Sequence, residues 1–419
     1  MKQIHLIATG ACAIDTILTV PHFPLEDSKL RATTLIKRRG GNCPNTLEVL
    51  QQIVALERQA YSHPLPKNFT NKSEHSSRST GLPNPTNGPK LSLLATLPSP
   101  ASSSINFVKS SLPNIDLSHC LYRESYTEPV SSYIISSASA GTRTIINHNE
   151  LPEMTVEEFR DITHAIFADD LETARDEDEA KDDVESEGRS KGLRKGKLLW
   201  FHFEGRIPEV TLGCIRLLRS HPVFKPPSNR AEQKPAPKVE LKISVELEKP
   251  GREGLQALAE VADVVFYSRS WAEGEGYGSP VSLLEAQAAV LNRSPASGLG
   301  ERTLVCTWGA QGAWALALPA KGSESEIEGC IVKGEPFTVP DREIFDTVGA
   351  GDTFIAGILF GFLCRGDGGG GDAMPWSLKA RLEFANGLAG RKVLQHGFCG
   401  LGAQIQELKK RLDAGRKEN

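Results

Sequence analysis

Asp346-Thr347-Val348-Gly349-Ala350-Gly351-Asp352-Thr353-Phe354-Ile355-Ala356-Gly357, late in a chain of 419 residues, is the stretch from which the fold is read. A glycine-rich turn delivers Asp352 to the start of an apolar segment. In that segment Phe354, Ile355, Ile358, Leu359, Phe362 and Leu363 recur at helical spacing, and Gly357 and Gly361 permit close packing. Gly349 and Gly351 allow consecutive backbone N–H groups to point one way. With the positive end of the helix dipole they form a site for an anion such as a phosphoryl group. Asp352 beside that site is placed to take a proton from an attacking hydroxyl. The same residues also read as an N-capped buried helix after a glycine turn, and at this point both readings stand.

Outward from this string, short apolar strands alternate with helical segments. Strands are expected at Ile4–Leu6, within a first buried strand over Ile4–Ile14, and at Tyr133–Ser136, Thr144–Asn147 and Leu198–Phe203. Four more are expected at Lys242–Glu246, Val264–Tyr267, Thr303–Thr307 and Ala313–Leu318. Helices are expected at Asn45–Leu56, Val156–Ala165, Glu209–Leu218, Arg252–Val261, Pro280–Val290, Asp352–Cys364 and Ser377–Leu394. Near-continuous apolar strands between helices predict an α/β fold with a largely parallel sheet covered on both faces. Two segments read as insertions. Residues 61–90 are rich in Ser, Pro, Asn and Thr and are expected to be disordered, and 169–197 begin acidic and end basic. Without them about 360 residues remain, the size of one large α/β domain, assigned to 1–405 with a tail over 406–419.

Composition excludes some function classes. With 39% hydrophobic and 24% charged residues and a net charge of −4, the chain has no basic excess to attract nucleic acid or anionic membranes. No run of about 18 apolar residues suggests a membrane span. Lys2, an apolar run and Ala11-Cys12-Ala13 mimic a short signal peptide, but His5 and Gly10 interrupt the run. The eight cysteines (12, 43, 120, 214, 306, 330, 364, 399) are dispersed without a C-x-x-C pair. They read as thiols of a reducing compartment, with the cytoplasm as the default.

A second constellation is Arg39-Gly40-Gly41-Asn42-Cys43-Pro44-Asn45, followed by a helix with Leu47, Leu50, Ile53 and Val54 on one stripe. A Gly-Gly turn lets backbone approach a ligand, and Asn42 and Asn45 offer donors and acceptors to a polyol; a capped helix start explains the string equally. Asp15 closes the first strand in this reading, facing the crevice where open α/β sheets bind ligands. Asp15 and Asp27 suit pairs of sugar hydroxyls, and an ordinary surface charge is the other reading of each. Glu246 and Glu248, two apart on a strand, share a face and suit Mg²⁺ held through water, or a solvated strand end. His202, on an apolar strand, reads as a core or supporting histidine.

The glycine-glycine-asparagine element and Asp346-Thr-Val-Gly-Ala-Gly-Asp352 together resemble the two signatures of the ribokinase-like (pfkB) carbohydrate kinases, most of all their ketohexokinase branch. The likeness runs in order through Glu26-Asp27-Ser28, Arg39-Gly40-Gly41-Asn42, Phe201–Arg206, Ser244–Pro250, Ala262–Phe266 and Val305–Trp308. It implies a ribokinase-like three-layer α/β/α sandwich with a mostly parallel central sheet and a small β-sheet lid, here about 16–38 and 121–147. It implies an ATP- and Mg²⁺-dependent sugar kinase, with fructose as the acceptor, and a homodimer clasped through the lid. By resemblance Asp352 is the base, Gly349, Ala350 and Gly351 the anion hole, and Arg143 a phosphate clamp. Asp15, Gly41, Asn42 and Asn45 bind the sugar, and Asp27 reaches the partner's sugar site. Arg269, Trp308, Gly309, Gly312, Thr347, Asn386 and Gly390 belong to the nucleotide site.

The chain departs from that pattern in two places. Leu97–Ser104 replaces a glycine- and aspartate-containing stretch, and Phe266-Tyr-Ser-Arg-Ser-Trp271 replaces an Asn-x-x-Glu metal motif, so the metal ligands stay unassigned. A Walker-type G-x-x-x-x-G-K-[ST] loop is absent, which excludes phosphate binding of the P-loop kind.

Overall fold

Neighbouring residues of the central strands enter two different apolar layers. Leu6 and Ala8 pack in one and Ile7 in the other; Leu198 and Trp200 oppose Leu199, Phe201 and Phe203; Val264 and Phe266 oppose Val265 and Tyr267. A sheet buried on both faces needs helices on both sides, and the computed structural model has that arrangement. It describes residues 2–62, 88–168, 196–224, 239–293, 300–320, 330–338, 344–365 and 375–414. Most of the two expected insertions, 63–87 and 169–195, lies outside the described residues.

The strands in chain order are β1 (Gln3–Thr9), β2 (Ala13–Val20), β3 (Thr34–Gly40), β4 (Lys90–Leu94), β5 (Thr96–Pro98), β6 (Leu121–Arg123) and β7 (Val130–Ser137). They continue as β8 (Thr142–His148), β9 (Lys197–Glu204), β10 (Val239–Leu247), β11 (Val264–Tyr267), β12 (Arg302–Thr307), β13 (Ala313–Leu318) and β14 (Val332–Gly334). Eight of them form the main sheet in the order β14-β13-β12-β11-β10-β9-β1-β4. The strands from β4 to β12 run parallel, and β13 and β14 close the other edge antiparallel.

The helices are α1 (Asn42–Ser62), α2 (Ser103–Ser111), α3 (residues 156–168), α4 (Pro208–Ser220), α5 (Leu255–Val261) and α6 (Arg269–Gly274). After them come α7 (Pro280–Arg293), α8 (Ala350–Arg365), α9 (Leu378–Lys392), α10 (Leu401–Gln404) and α11 (Gln406–Ala414). One layer gathers Leu47 and Leu50 of α1 with Phe354 and Ile358 of α8 and Phe384 of α9. The other gathers Phe159 of α3, Ile215 of α4, Leu258 of α5 and Leu283 of α7. The molecule is a three-layer α/β/α sandwich. Among the described residues, no helix is long and apolar enough to cross a membrane.

A separate four-stranded sheet, ordered β3-β2-β7-β8, stands over one end of the main sheet. It corrects one expectation. The apolar run over Ile4–Ile14 is not one strand: β1 ends at Thr9, and β2 begins at Ala13 in the other sheet. Asp15 therefore belongs to the small sheet and does not close β1. The C-terminal stretch also differs from a tail, because α11 packs Leu408 and Leu412 on the core. Lys409 pairs with Glu57 of α1 at 2.9 Å.

Candidate active site

The parallel strands end together under the small sheet, and a cleft of about 480 Å³ opens there. Ala11 follows β1, Glu204 ends β9, Glu246 and Leu247 end β10, and Thr307 ends β12; all line it. Open α/β sheets bind ligands at this carboxyl-end crevice, and the volume suits a small molecule. The starts of α1 and α8 and strands β2, β7 and β8 complete the walls.

Asp352 sits in the first turn of α8 and is 8% exposed. Asn45 Nδ2 donates to its Oδ2 at 2.7 Å, and Thr46 Oγ1 donates to its backbone carbonyl at 3.2 Å. The orientation of the Asn45 amide is fixed by Arg39, whose Nη1 donates to Asn45 Oδ1 at 2.8 Å. Two separated strings of the sequence are thereby joined: the start of α1 holds the carboxylate that α8 supplies. Gly349 (φ 81°) and Gly41 (φ 103°) take left-handed conformations that other residues avoid. At Gly41 an added Cβ would fall 2.1 Å from the Ala11 carbonyl oxygen.

A buried polar chain supports the floor. Trp200 Nε1 donates to Ser244 Oγ at 2.9 Å, Ser244 Oγ lies 2.9 Å from His202 Nδ1, and His202 Nε2 lies 2.9 Å from Glu246 Oε1. An indole N–H can only donate, so Ser244 accepts from Trp200 and still has one lone pair and its own proton to offer Nδ1; when it gives the proton, Nε2–H donates to Glu246. Burial pushes the His202 imidazolium down to about 4, so the ring is neutral at pH 7.

Four carboxylates share this space. Burial, reinforced by Glu246, lifts Asp352 well above the usual carboxylate range, with the Asn45 hydrogen bond opposing. Glu246 is raised to about 8 by burial and by Glu248. Glu204, which accepts the Ala11 N–H at 3.0 Å, is raised to about 7 by burial and by Glu246. Asn42 Nδ2 bridges Glu246 and Glu248, 3.0 Å from an oxygen of each. Facing this acidic floor, Arg143, Arg206, Lys249 and Arg252 line the same cleft. Anionic phosphates against the bases and a cation against the acids is the ligand set such a cleft can hold.

Two arginines tie the small sheet to the glycine turn. Arg143 Nη1 of β8 donates to Thr347 Oγ1 at 2.9 Å. Arg38 of β3 donates to Asp346 Oδ2 at 2.9 Å and to Asp15 Oδ2 at 3.4 Å. Asp346 also receives Lys392 Nζ at 3.0 Å and caps the turn by accepting the Val348 N–H at 3.0 Å. Burial opposes the charge on Asp346, but Lys392 and Arg38 outweigh it and hold the carboxyl below its usual range.

Of the residues singled out in the sequence, Asp15, Gly41, Asn42, Asn45, Arg143, Glu246, Thr347, Gly349, Gly351 and Asp352 line this one cleft, with Ala350 between the two glycines as the first residue of α8. Asp27 does not line it; it lies exposed in the turn between β2 and β3, at φ 57°. Arg269, Trp308, Gly309, Gly312, Asn386 and Gly390 lie along the adjoining edge. There Arg269 stacks 5.5 Å from the Trp308 ring, and Asn386 Nδ2 donates to the carbonyls of Gly334 and Glu335 at 2.8 and 2.9 Å. Gly390 is packed against the Phe337 ring. Glu204, Arg206, Lys249, Arg252, Arg38 and Lys392 were not singled out. The signal for the first four was their place just past the ends of apolar strands; for the last two the sequence carried none.

Residues 239–402 match the family model described as pfkB family carbohydrate kinase. Mouse ketohexokinase is 23% identical over 402 residues, covering 96% of this chain and all of that protein. Among solved structures, a ribokinase from Giardia lamblia superposes with a TM-score of 0.59 at 13% identity, covering 98% of this chain and 99% of that one. A ribokinase from Cryptococcus neoformans in complex with ADP superposes with a TM-score of 0.53 at 14% identity, covering 97% and 100%.

Proposed function

We propose that this chain, which carries a pfkB-family carbohydrate kinase domain and is a sugar kinase, transfers the γ-phosphate of ATP to a hydroxyl of a fructose-type ketose. The observation that carries the reading is the placement of Asp352 against the Gly349–Gly351 turn in the one cleft that also holds Asp15, Asn42, Asn45 and Arg143. Asp352 accepts the proton of the attacking hydroxyl. The amides of the turn and the Arg143 guanidinium stabilise charge on the phosphoryl oxygens. Asp15, Asn42 and Asn45 hold the sugar hydroxyls. The nucleotide lies toward Trp308, Gly312 and Asn386, beyond Thr307 and Thr347 at the cleft margin.

Glu246 and Glu248, bridged by Asn42, offer oxygen donors on the cleft side, the chemistry Mg²⁺ prefers. They are the residues that would hold it, directly or through water. When bound, the ion neutralises phosphate charge.

The reading includes a homodimer. Residues paired across strands share a face, so Leu35, Tyr133 and Ile146 lie on the outer face of the small sheet. They are 66%, 48% and 55% exposed, a patch suited to a second copy. All eight cysteines are free thiols, in keeping with a reducing cytoplasm.

The test is a panel of acceptors with Mg-ATP. ADP release is expected to be fastest with D-fructose, ahead of ribose, adenosine and no acceptor. Asp352→Asn is expected to lose roughly 10²–10⁴-fold in turnover while still binding sugar. Preference for another acceptor moves the assignment within the fold. No acceptor-dependent turnover favours a sugar- or nucleotide-binding regulator.

A further inference from the structure

Cys43, His202 and Glu246 meet behind the floor of the cleft, with one donor atom from each within 4.8 Å of the others. Cys43 and His202 are fully buried, and Glu246 is 3% exposed. We propose that these three side chains form a binding site for a borderline-soft divalent cation such as Zn²⁺, and that its occupancy inhibits phosphoryl transfer.

The donor set is what selects the ion. One thiolate, one imidazole and one carboxylate suit Zn²⁺ or Co²⁺, whereas Mg²⁺ takes oxygen donors and retains water. The supports are in place too. Ser244 Oγ, 2.9 Å from His202 Nδ1, can accept from that nitrogen and leave Nε2 to the metal, the partner arrangement that metal-bound histidines use. The carboxylate–imidazole contact of 2.9 Å is where the ion inserts. Cys43 Sγ, held by a weak hydrogen bond to the Thr9 carbonyl at 3.3 Å, must draw in by about 1 Å to reach bonding distance.

The proton balance is simple. Cys43 gives up its thiol proton to solvent, and Glu246 gives up the carboxyl proton that its burial favours. The imidazole keeps one proton, now on Nδ1 instead of Nε2, and Glu246 binds as the carboxylate, so binding releases protons and tightens as pH rises. The ion takes Glu246 Oε1, the oxygen that faces His202, while Oε2 keeps the Asn42 amide. Asn42, a sugar-binding side chain in the proposed reaction, is thereby tied to a metal-bound carboxylate, and the new charge sits beside Asp352. The inhibitory consequence rests on the kinase reading; the existence of the site does not.

Co²⁺ titration of the full-length protein, without nucleotide or sugar, decides the site. The wild type should develop one equivalent of thiolate-to-cobalt charge-transfer absorption in the near ultraviolet, and Cys43→Ser should lack it. No band in the wild type, or a band that survives in Cys43→Ser, overturns the site. The second readout is turnover with excess Mg²⁺, where the wild type should be half-inhibited at Zn²⁺ concentrations roughly tenfold or more below those needed for Cys43→Ser. Equal Zn²⁺ sensitivity with a cobalt band present overturns the inhibitory role alone, and a chain without sugar-dependent turnover overturns it together with the kinase reading. Cys43→Ala replaces the serine variant in both readouts if melting shows that Cys43→Ser is misfolded.

Discussion

Asn45 is the hydrogen-bond partner of Asp352, 2.7 Å from its Oδ2, and cannot turn away because Arg39 occupies its other end at 2.8 Å. A donor to the charged form lowers a carboxyl's pKa, so Asn45 keeps Asp352 closer to the basic form that the proposed proton abstraction requires. In Asn45→Ala the rising limb of kcat/KM against pH should move to higher pH. The rate at pH 7 should fall roughly 10–100-fold, the worth of a hydrogen bond to a charged group. A lower rate with an unmoved limb would mean that Asn45 acts on the sugar alone.

Arg38 and Lys392 share Asp346. Arg38→Gln leaves the half-buried carboxylate with one cation and should cost roughly 1–3 kcal/mol in denaturant unfolding. Because Asp346 titrates below its usual range, this stability is present above the ordinary carboxylate value and is lost as pH falls through Asp346's own lower value. The penalty should therefore fade as pH falls below the ordinary aspartate value of about 3.9. A penalty that persists undiminished into stronger acid would show that Arg38 stabilises by packing instead.

Glu204 carries the opposite sign. Its folded value of about 7 lies above the unfolded one, so the stability it contributes is full below about pH 4.3 and lost as pH rises through about 7. Glutamine can still accept the Ala11 N–H without charge. Melting curves of Glu204→Gln and wild type should be close at pH 4.5, and the variant should melt higher, by roughly a few degrees, at pH 8. A pH-independent difference would contradict the assignment.

The two glycines of the turn should respond unequally. At Gly349 an added Cβ would fall 2.4 Å from the Phe398 ring, at a φ of 81°. At Gly351 it would meet nothing within 4 Å. Gly349→Ala should lower both the melting temperature and kcat, the left-handed conformation alone costing roughly 1–2 kcal/mol. Gly351→Ala should fold as the wild type does. Equal melting losses would mean that the turn is not held against Phe398.

Much of this architecture was legible because burial writes a period into sequence. The strands over Leu198–Phe203, apolar but for His202, and Val264–Tyr267, and the striped helix after Asn45, lie where they were expected. The break between β1 and β2 was hidden because both pieces are apolar, and only their pairing partners differ. β3 was missed because Lys37, Arg38 and Arg39 obscure its alternation. The glycine turn and its aspartate were visible as local chemistry. The contact from Arg38 to Asp346 joins residues 308 positions apart, and no local pattern encodes it.

Four acidic groups crowded beneath the small sheet make the unliganded chain less stable than its fold alone would permit. Whatever relieves that crowding, whether a cation among Glu204, Glu246 and Glu248 or a polyol satisfying Asp15 and Asp352, must also raise the melting temperature, since binding to the folded state alone stabilises it. The carboxylate nest thus makes the protein a thermometer for its own ligands. An unknown acceptor can be sought by heating the chain with candidate sugars, before any phosphate is transferred.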